Sequence, residues 1–332
     1  HMDVPWERAT LARTQPAMNA ADPAMNETAG LQLSVAMNPA HADKLLAGTG
    51  HKFADLLALA DASKPLPRFA IPASLEARVA LKRSQAESQN VAGVLEGSDP
   101  KLKNEYVVLS AHLDHVGVGQ PIKGDKIYNG AMDDASGVAS LIEIATYLKS
   151  TGAKLKRSVL FVTVTGEEKG LQGSNYFAHH PTVPARAIVA DINMDMYLPL
   201  FPLKYLEVQG LNESTLGDDI RAACAKAGVE VQSDKEPDRN LFIRSDQYSF
   251  IKQGVPALAF KFGYVKGSEQ ERIAKAWLKE RYHAPSDDLQ QPVDRAAAAQ
   301  FNRILLDAVL RVADAPERPH WKPDSFFRRF AK

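Results

Sequence analysis

Hydrophobic and polar positions follow two different periods along the chain. Short runs rich in β-branched and apolar residues, each bounded by polar residues, predict buried strands over 106–111, 159–165, 187–194 and 255–262. Apolar residues recur at helical spacing over 136–148 and 293–312, which predicts two amphipathic helices. Alternating strands and helices indicate an α/β fold, with a mixed, mainly parallel central sheet covered by helices on both faces.

The first 85 residues show a different pattern. It is helical over 39–62, and an alternating stretch at 75–81 predicts a strand after a proline-rich link. We therefore divide the chain into an N-terminal appendage (1–85, partly helical), an α/β domain (86–315) and a C-terminal tail (316–332).

Composition and charge exclude several kinds of partner and site. Forty basic residues balance forty acidic ones, so no overall field attracts nucleic acid or an anionic membrane. No run of about 18 apolar residues occurs, and we therefore expect no membrane span. The single cysteine, Cys224, excludes an intramolecular disulfide and a thiolate metal cluster, and its context predicts a buried position on a helix.

Residues of the types that bind metal ions follow the predicted strands. A His-Leu-Asp-His motif follows the first strand, a pair of glutamates the second and an aspartate the third, while an Asp-Asp pair and a histidine lie in two further loops. Because ligands bind at the carboxyl ends of the strands in such sheets, we expect these side chains to lie together. The residues concerned are His112, Asp114, His115, Asp133, Asp134, Glu167, Glu168, Asp195 and His283.

The chemistry of this set predicts a catalytic metal centre. Imidazole and carboxylate groups are the ligands that zinc takes when thiolates are absent, and a catalytic zinc keeps one position open. Two metal ions roughly 3.5–4 Å apart need a carboxylate that touches both. Of two adjacent glutamates, one can bind metal while the other accepts a proton. Each residue alone has an ordinary explanation, such as a helix cap for the Asp-Asp pair, but their joint occurrence at strand ends favours the metal centre.

With these residues assembled, the chain resembles the di-zinc metallo-aminopeptidase family that contains the secreted bacterial leucine aminopeptidases. Glutamate carboxypeptidase and the transferrin receptor ectodomain are relatives, and the resemblance runs from about Asn90 to Val312. It implies a zinc exopeptidase fold of the phosphorylase/hydrolase-like type, two Zn²⁺ ions per chain and peptide substrates. It also implies a secreted or periplasmic location, with an export signal outside this sequence. Residues 36–75 resemble the segment after a protease-associated domain in larger members, so the appendage is expected to be a remnant or flank of that domain.

By the same resemblance, five residues hold the two zinc ions. His112 and Asp195 would bind one ion. Glu168 and His283 would bind the other, and Asp133 would bridge the two.

The resemblance also implies roles for residues beside these ligands. Glu167 would act as general base and generate the hydroxide between the metal ions, and Asp114 would orient the His112 ring through its far nitrogen. The peptide bond between Asp133 and Asp134 is often cis in this family.

Two further residues match substrate-facing positions of some bacterial members. Tyr282 would stabilise the oxyanion and Arg244 would orient the substrate. Some relatives place a tyrosine before the Ser-Asp pair, where this chain has Phe242, and we therefore assign the oxyanion to Tyr282.

These residues lead us to expect an aminopeptidase that removes the N-terminal residue of peptides with a metal-bridging hydroxide. A carboxypeptidase or dipeptidase with the same metals is an alternative, which an arginine cluster facing the site would favour. A glutaminyl cyclase shares the fold but works with one zinc ion. A non-enzymatic ectodomain can lack the metal carboxylates, whereas this chain keeps them. The sequence leaves the side-chain preference and the oligomeric state open.

Overall fold

The computed structural model describes residues 6–28 and 30–331. The chain divides into two compact units, one of residues 27–87 and one that combines residues 1–26 with 88–332. Within the described ranges, no helix has both the length and the hydrophobicity needed to cross a membrane.

Nine strands and eight α-helices occur in the described residues. The strands are β1 (Val91–Leu95), β2 (Tyr106–His112), β3 (Gly117–Ile122), β4 (Asp125–Tyr128), β5 (Ser158–Val164), β6 (Ile188–Asn193), β7 (Tyr205–Gln209), β8 (Glu230–Ser233) and β9 (Ala257–Gly263). The α-helices are α1 (Trp6–Ala9), α2 (Phe53–Asp61), α3 (Ala135–Ser150), α4 (Gln172–His179), α5 (Leu216–Lys226), α6 (Gln247–Lys252), α7 (Glu269–Glu280) and α8 (Arg295–Asp314).

The smaller unit differs from its sequence-based prediction in two places. The helix predicted over 39–62 is divided into a 3₁₀ helix, Pro39–Lys44, and α2, because Gly48 and Gly50 adopt positive φ angles between them. The strand predicted over 75–81 is wrong, since this stretch has no regular secondary structure. Its apolar side chains are exposed, and an alternating pattern forms a strand only where a neighbouring strand supplies hydrogen bonds.

A seven-stranded mixed sheet forms the centre of the larger unit, in the order β1-β5-β2-β6-β9-β7-β8. Four neighbouring strands of the sheet, β5, β2, β6 and β9, are parallel to one another. At the two sides of this group, β1 pairs antiparallel with β5 and β7 pairs antiparallel with β9. The four strands predicted from the hydrophobic pattern are β2, β5, β6 and β9, with ends shifted by one or two residues. The predicted mixed, mainly parallel sheet is therefore confirmed.

Helices cover both faces of this sheet. Val107 and Leu109 of β2 pack in one hydrophobic cluster with residues of α3, α5 and α8, while Val108 packs in a second cluster with residues of α4 and α6. Successive strand residues point to opposite faces, so the two clusters lie on opposite sides of the sheet. Cys224 of α5 is buried in the first cluster, as predicted from its context.

The parallel arrangement brings the ends of β2, β5 and β6 to one edge of the sheet. His112 ends β2, Glu167 lies just after β5, and Asp195 lies just after β6. Helix α3 begins at the same edge, directly after Asp133 and Asp134. Parallel pairing therefore gathers the residues at these strand ends, and the start of α3 adds the two aspartates.

Residues 6–26 contribute to the larger unit through a contact with α7. Arg8 Nη2 donates to the carbonyl oxygens of Leu278 (2.9 Å) and Tyr282 (2.7 Å), and Arg8 Nη1 donates to that of Lys279. The last carbonyl groups of a helix have no partner within the helix. The guanidinium of Arg8 therefore completes the C-terminal end of α7 at the residue that precedes His283.

We predict that Gly137→Ala destabilises the larger unit. A Cβ at this position would lie 1.9 Å from the carbonyl oxygen of Met194, so α3 would have to move away from the strand end. Such overpacking costs about 1–3 kcal/mol of unfolding free energy. Urea denaturation should show this loss, whereas Gly93→Ala, where a Cβ meets no atom within 4 Å, should change stability by less than about 0.5 kcal/mol. Equal stability of the two variants would contradict the close packing at α3.

Candidate metal centre

Three of the predicted ligands form one cluster at the end of β2. His112 Nε2 lies 3.1 Å from Asp133 Oδ1 and 3.7 Å from Asp195 Oδ1. One ligand atom from each of the three residues lies within 4.8 Å of the other two. This spacing is suited to a single cation bound by all three.

The orientation of the His112 ring exposes a lone pair to the carboxylates. Its Nδ1 lies 2.9 Å from the carbonyl oxygen of Asp114, which can only accept a hydrogen bond, so Nδ1 carries the proton. In the neutral ring Nε2 is then an acceptor that faces Asp133, itself an acceptor. Without a cation, burial lowers the pKa of His112, but Asp133 and Asp195 raise it well above its ordinary value. The carboxylates thus favour positive charge at His112, which a bound metal ion would supply.

A second cluster surrounds Glu168 and shares Asp133 with the first. His283 Nε2 lies 3.0 Å from Glu168 Oε2 and 3.4 Å from Asp133 Oδ2. Burial lowers the pKa of His283, but hydrogen bonds to Asp133 and Glu168 outweigh it and raise that pKa to about 10. The five predicted ligands are therefore brought together, with Asp133 between the two groups as expected of a bridging carboxylate.

His115, which the sequence analysis placed in the motif without a role, belongs to the second cluster. Its Nδ1 lies 2.8 Å from Glu168 Oε1, and its side chain is 6% exposed. Gly130 makes room for it, because a Cβ there would lie 2.6 Å from His115 Cβ. The only signal in the sequence was the second histidine of His-Leu-Asp-His, three residues after His112.

Three other carboxylates, those of Asp134, Asp287 and Asp114, accept hydrogen bonds from the loops that carry the ligands. Asp134, the N-cap of α3, accepts hydrogen bonds from the backbone N–H groups of His112, Gly137 and Met196. Asp287 accepts from the N–H groups of Met132 and Asp133 at 2.8 and 3.1 Å. A cis peptide bond joins Asp133 and Asp134, as the resemblance implied. The sequence analysis gave Asp287 no role, because its partners lie about 155 residues earlier.

Asp114 accepts from the backbone N–H groups of Glu167 and Glu168, at 3.1 and 3.4 Å. Its carboxylate lies 3.8 Å from His112 Nδ1, farther than its carbonyl oxygen at 2.9 Å. Asp114 thus orients the imidazole through its main chain, while its side chain fixes the pair of glutamates.

Glu167 lies beside both clusters and lines the cavity that opens from them. Burial raises the pKa of its carboxyl group well above the ordinary value; nearby carboxylates add to this shift and His112 opposes it. A carboxyl group in this position can accept and release a proton.

Tyr282 and Arg244 line the same cavity as Glu167. The Tyr282 ring stacks on His283 with centroids 3.9 Å apart, and burial raises the pKa of its phenol well above 10, so the hydroxyl group stays protonated. Arg244 is exposed. Phe242 packs in a separate hydrophobic cluster with Trp321 and does not line the cavity. This position agrees with assigning stabilisation of the oxyanion to Tyr282 and not to the residue at position 242.

An α/β sheet that gathers histidines and carboxylates at its strand ends is the arrangement expected of a zinc metallopeptidase. Residues 90–309 match peptidase family M28, and the chain belongs to this family.

Curated relatives include peptidases that act at either end of a chain. Aminopeptidase Y of Saccharomyces cerevisiae is 27% identical over 70% of this chain and 40% of its own length. Probable leucine aminopeptidase 2 of Aspergillus fumigatus is 30% identical over 70% of this chain and 46% of its own length. Carboxypeptidase Q of Xenopus laevis is 31% identical over 36% of this chain and 24% of its own length. The chain therefore spans less than half the length of these relatives.

Solved structures share the fold. The chain is similar to a zinc aminopeptidase from Bacillus subtilis, with a TM-score of 0.53, 21% identity, and coverage of 69% of this chain and 51% of that one. It is also similar to the LapA aminopeptidase of Legionella pneumophila, with a TM-score of 0.52, 20% identity, and coverage of 69% and 55%. These structures confirm the expected α/β fold.

The residues of the two clusters fit divalent cations. Within the described part of the chain, His112 Nε2 and His115 Nε2 are buried and have no hydrogen-bond partner, while His115 Nδ1 and Glu168 Oε1 lie 2.8 Å apart. Buried polar atoms normally have partners. A buried imidazole nitrogen left unpaired beside carboxylates is explained if a cation binds between them.

We predict that divalent cations stabilise the protein strongly. A chelator should lower the midpoint of thermal unfolding by roughly 10 °C, since buried carboxylates then repel one another, and added Zn²⁺ should restore it. Differential scanning fluorimetry measures this shift. An unfolding midpoint that changes with neither chelator nor zinc would contradict the metal centre.

We further predict that His115→Ala weakens binding of one zinc ion by about 10- to 100-fold, the range seen when groups that support a metal site are removed. Competition with a chromophoric chelator measures the affinity. His320→Ala, which removes an exposed histidine outside both clusters, is the matched control. Equal zinc affinities in the two variants would show that His115 does not support the metal.

Proposed function

We propose that this protein is a di-zinc aminopeptidase that hydrolyses the N-terminal residue of peptides. The observation that carries the proposal is the pair of clusters that share Asp133, with the carboxyl group of Glu167 beside them on the cavity wall. The two relatives that cover 70% of the chain are both named aminopeptidases, which supports action at the amino end.

One zinc ion would be held by His112, Asp133 and Asp195. The other would be held by Asp133, Glu168 and His283, with His115 as an additional ligand. When bound, the ions would polarise the scissile carbonyl group and lower the pKa of a water molecule to about 7.

The catalytic groups of the chain surround this centre. Glu167, which belongs to neither ligand cluster, accepts the proton of the attacking water and passes it to the leaving amine. The protonated phenol of Tyr282 donates a hydrogen bond to the oxyanion. Arg244, exposed at the cavity wall, orients the peptide. The backbone contact of Arg8 holds Tyr282 in place for this role.

The carboxypeptidase alternative depends on free positive charge in the cavity. Arg239, Arg244, Lys235 and Lys261 all line it. However, Arg239 Nη1 lies 2.8 Å from Glu236 Oε2, and Lys235 Nζ lies 3.2 Å from Glu207 Oε2. Carboxylates thus compensate two of the four charges, and Lys261 Nζ donates to the carbonyl oxygens of Asp195 and Met196. The remaining Arg244 is not the arginine cluster that would favour binding of a terminal carboxylate. The second cluster around Glu168 likewise supports two ions, in contrast to a cyclase with one.

We predict that Glu167→Gln retains two zinc ions but lowers kcat by about 10²–10⁴-fold, because the proton acceptor is lost while the ligands remain. Metal analysis of the dialysed protein and release of amino acids from a tripeptide measure both quantities. Asp133→Asn should lose metal as well as activity, since this carboxylate is shared by both clusters.

The same assay identifies the end that is cut. We expect hydrolysis of a peptide with a free amino terminus and none after acetylation of that terminus. Hydrolysis that is unchanged by acetylation of the amino terminus but is abolished by amidation of the carboxyl terminus would establish a carboxypeptidase instead. One zinc ion per chain without hydrolysis of either peptide would contradict both the aminopeptidase and the carboxypeptidase function.

A further inference from the structure

The cavity beside the metal centre has polar residues at its floor. The alternation of β7 places Leu206 and Val208 in the hydrophobic core, and Glu207 and Gln209 on the opposite face, where they line the cavity. Lys235 lines the cavity beside them. We call Glu207, Gln209 and Lys235 the polar floor.

Two residues of the polar floor are buried, and two of its donor groups make no hydrogen bond. Glu207 is 7% exposed and Gln209 is 3% exposed. Lys235 Nζ lies 3.2 Å from Glu207 Oε2 and 4.3 Å from the centre of the Tyr264 ring, so the two charges compensate each other. Among residues 6–28 and 30–331, neither Gln209 Nε2 nor Lys235 Nζ has a hydrogen-bond partner. A buried donor of this kind lowers stability unless a ligand accepts from it.

The walls above the polar floor are largely apolar. They include Leu198, Leu241, Phe262 and Leu278, which suit the methylene groups of a side chain. The cavity also reaches Glu167 and Asp195 at the metal centre. A substrate residue whose carbonyl group lies at the metals can therefore extend its side chain toward the floor.

We propose that this cavity binds the side chain of the released residue and selects a carboxamide, that of glutamine or asparagine. The proposal rests on the exopeptidase function proposed above. The amide oxygen accepts from Gln209 Nε2, and the amide nitrogen donates to the Glu207 carboxylate.

Other side chains match the polar floor less well. An aliphatic side chain leaves Gln209 Nε2 unpaired. An acidic side chain brings a second carboxylate beside buried Glu207, and a basic one brings a second cation beside Lys235. A neutral group that both donates and accepts is the chemical class that satisfies the floor.

Binding of uncleavable amino alcohols to the zinc-loaded protein tests the proposal without any hydrolysis. L-glutaminol and L-leucinol carry the two competing side chains and no peptide bond. By isothermal titration calorimetry, we expect L-glutaminol to bind about tenfold more tightly than L-leucinol, since one well-placed polar contact discriminates at least this much. Equal binding, or tighter binding of L-leucinol, would overturn the proposal even if no variant could be prepared.

A variant then assigns the preference to the polar floor. Gln209→Met keeps the size of the side chain but removes the donor, and should lower the ratio of the two affinities about tenfold, mainly by weakening L-glutaminol. Gln232→Met makes the same change on neighbouring β8, outside the residues that line the cavity, and should leave the ratio unchanged. An unaltered ratio in Gln209→Met would show that the floor does not select the side chain.

The outcomes separate this proposal from the proposed function. A preference for L-glutaminol that depends on Gln209, without release of residues from free amino termini, would support the cavity and overturn the aminopeptidase. Release of leucine in preference to glutamine from tripeptides would leave the aminopeptidase standing and overturn the selection of carboxamides.

Discussion

The site is organised by negative charges that are too close together to remain without a cation. Asp133 lies between two histidines and is 4% exposed, and Glu168 and Asp195 approach the same histidines from either side. Carboxylates in such a place are destabilised unless positive charge compensates them. The unused acceptor on His112 also indicates that a cation binds here. The loops around the centre hold these groups together despite the repulsion between their charges.

The carboxylates of the site fall into two groups according to their partners. Asp114, Asp134 and Asp287 accept hydrogen bonds from backbone N–H groups, and each ties down the loop that carries a ligand. Asp133 and Glu168 face histidine rings instead. Backbone donors stabilise an ionised carboxylate by themselves, so the first group can form before metal binds. The framework of the site is thus independent of the ion that the second group would bind.

Local patterns accounted for the centre of the fold and for the ligands. β2, β5, β6 and β9 are buried runs followed by polar residues, and parallel pairing brings their ends together without further information. Features that depend on contacts between distant residues could not be predicted in this way. The pairing of β7 with β9, the hydrogen bonds of Asp287 and the position of His115 against Gly130 all belong to this class. The strand predicted over 75–81 is wrong for a related reason. An alternating pattern does not specify the neighbouring strand with which the segment would have to pair.

The contact between Arg8 and α7 has a consequence for how this enzyme can be shortened. The arginine lies 270 residues before Leu278, whose carbonyl group it binds, and a whole compact unit intervenes in the chain. A catalytic fragment cut at the family boundary near residue 90 would retain all the ligand residues and still lose the guanidinium that completes α7. The larger unit is therefore discontinuous in sequence: the smaller unit is inserted between residue 26 and residue 88.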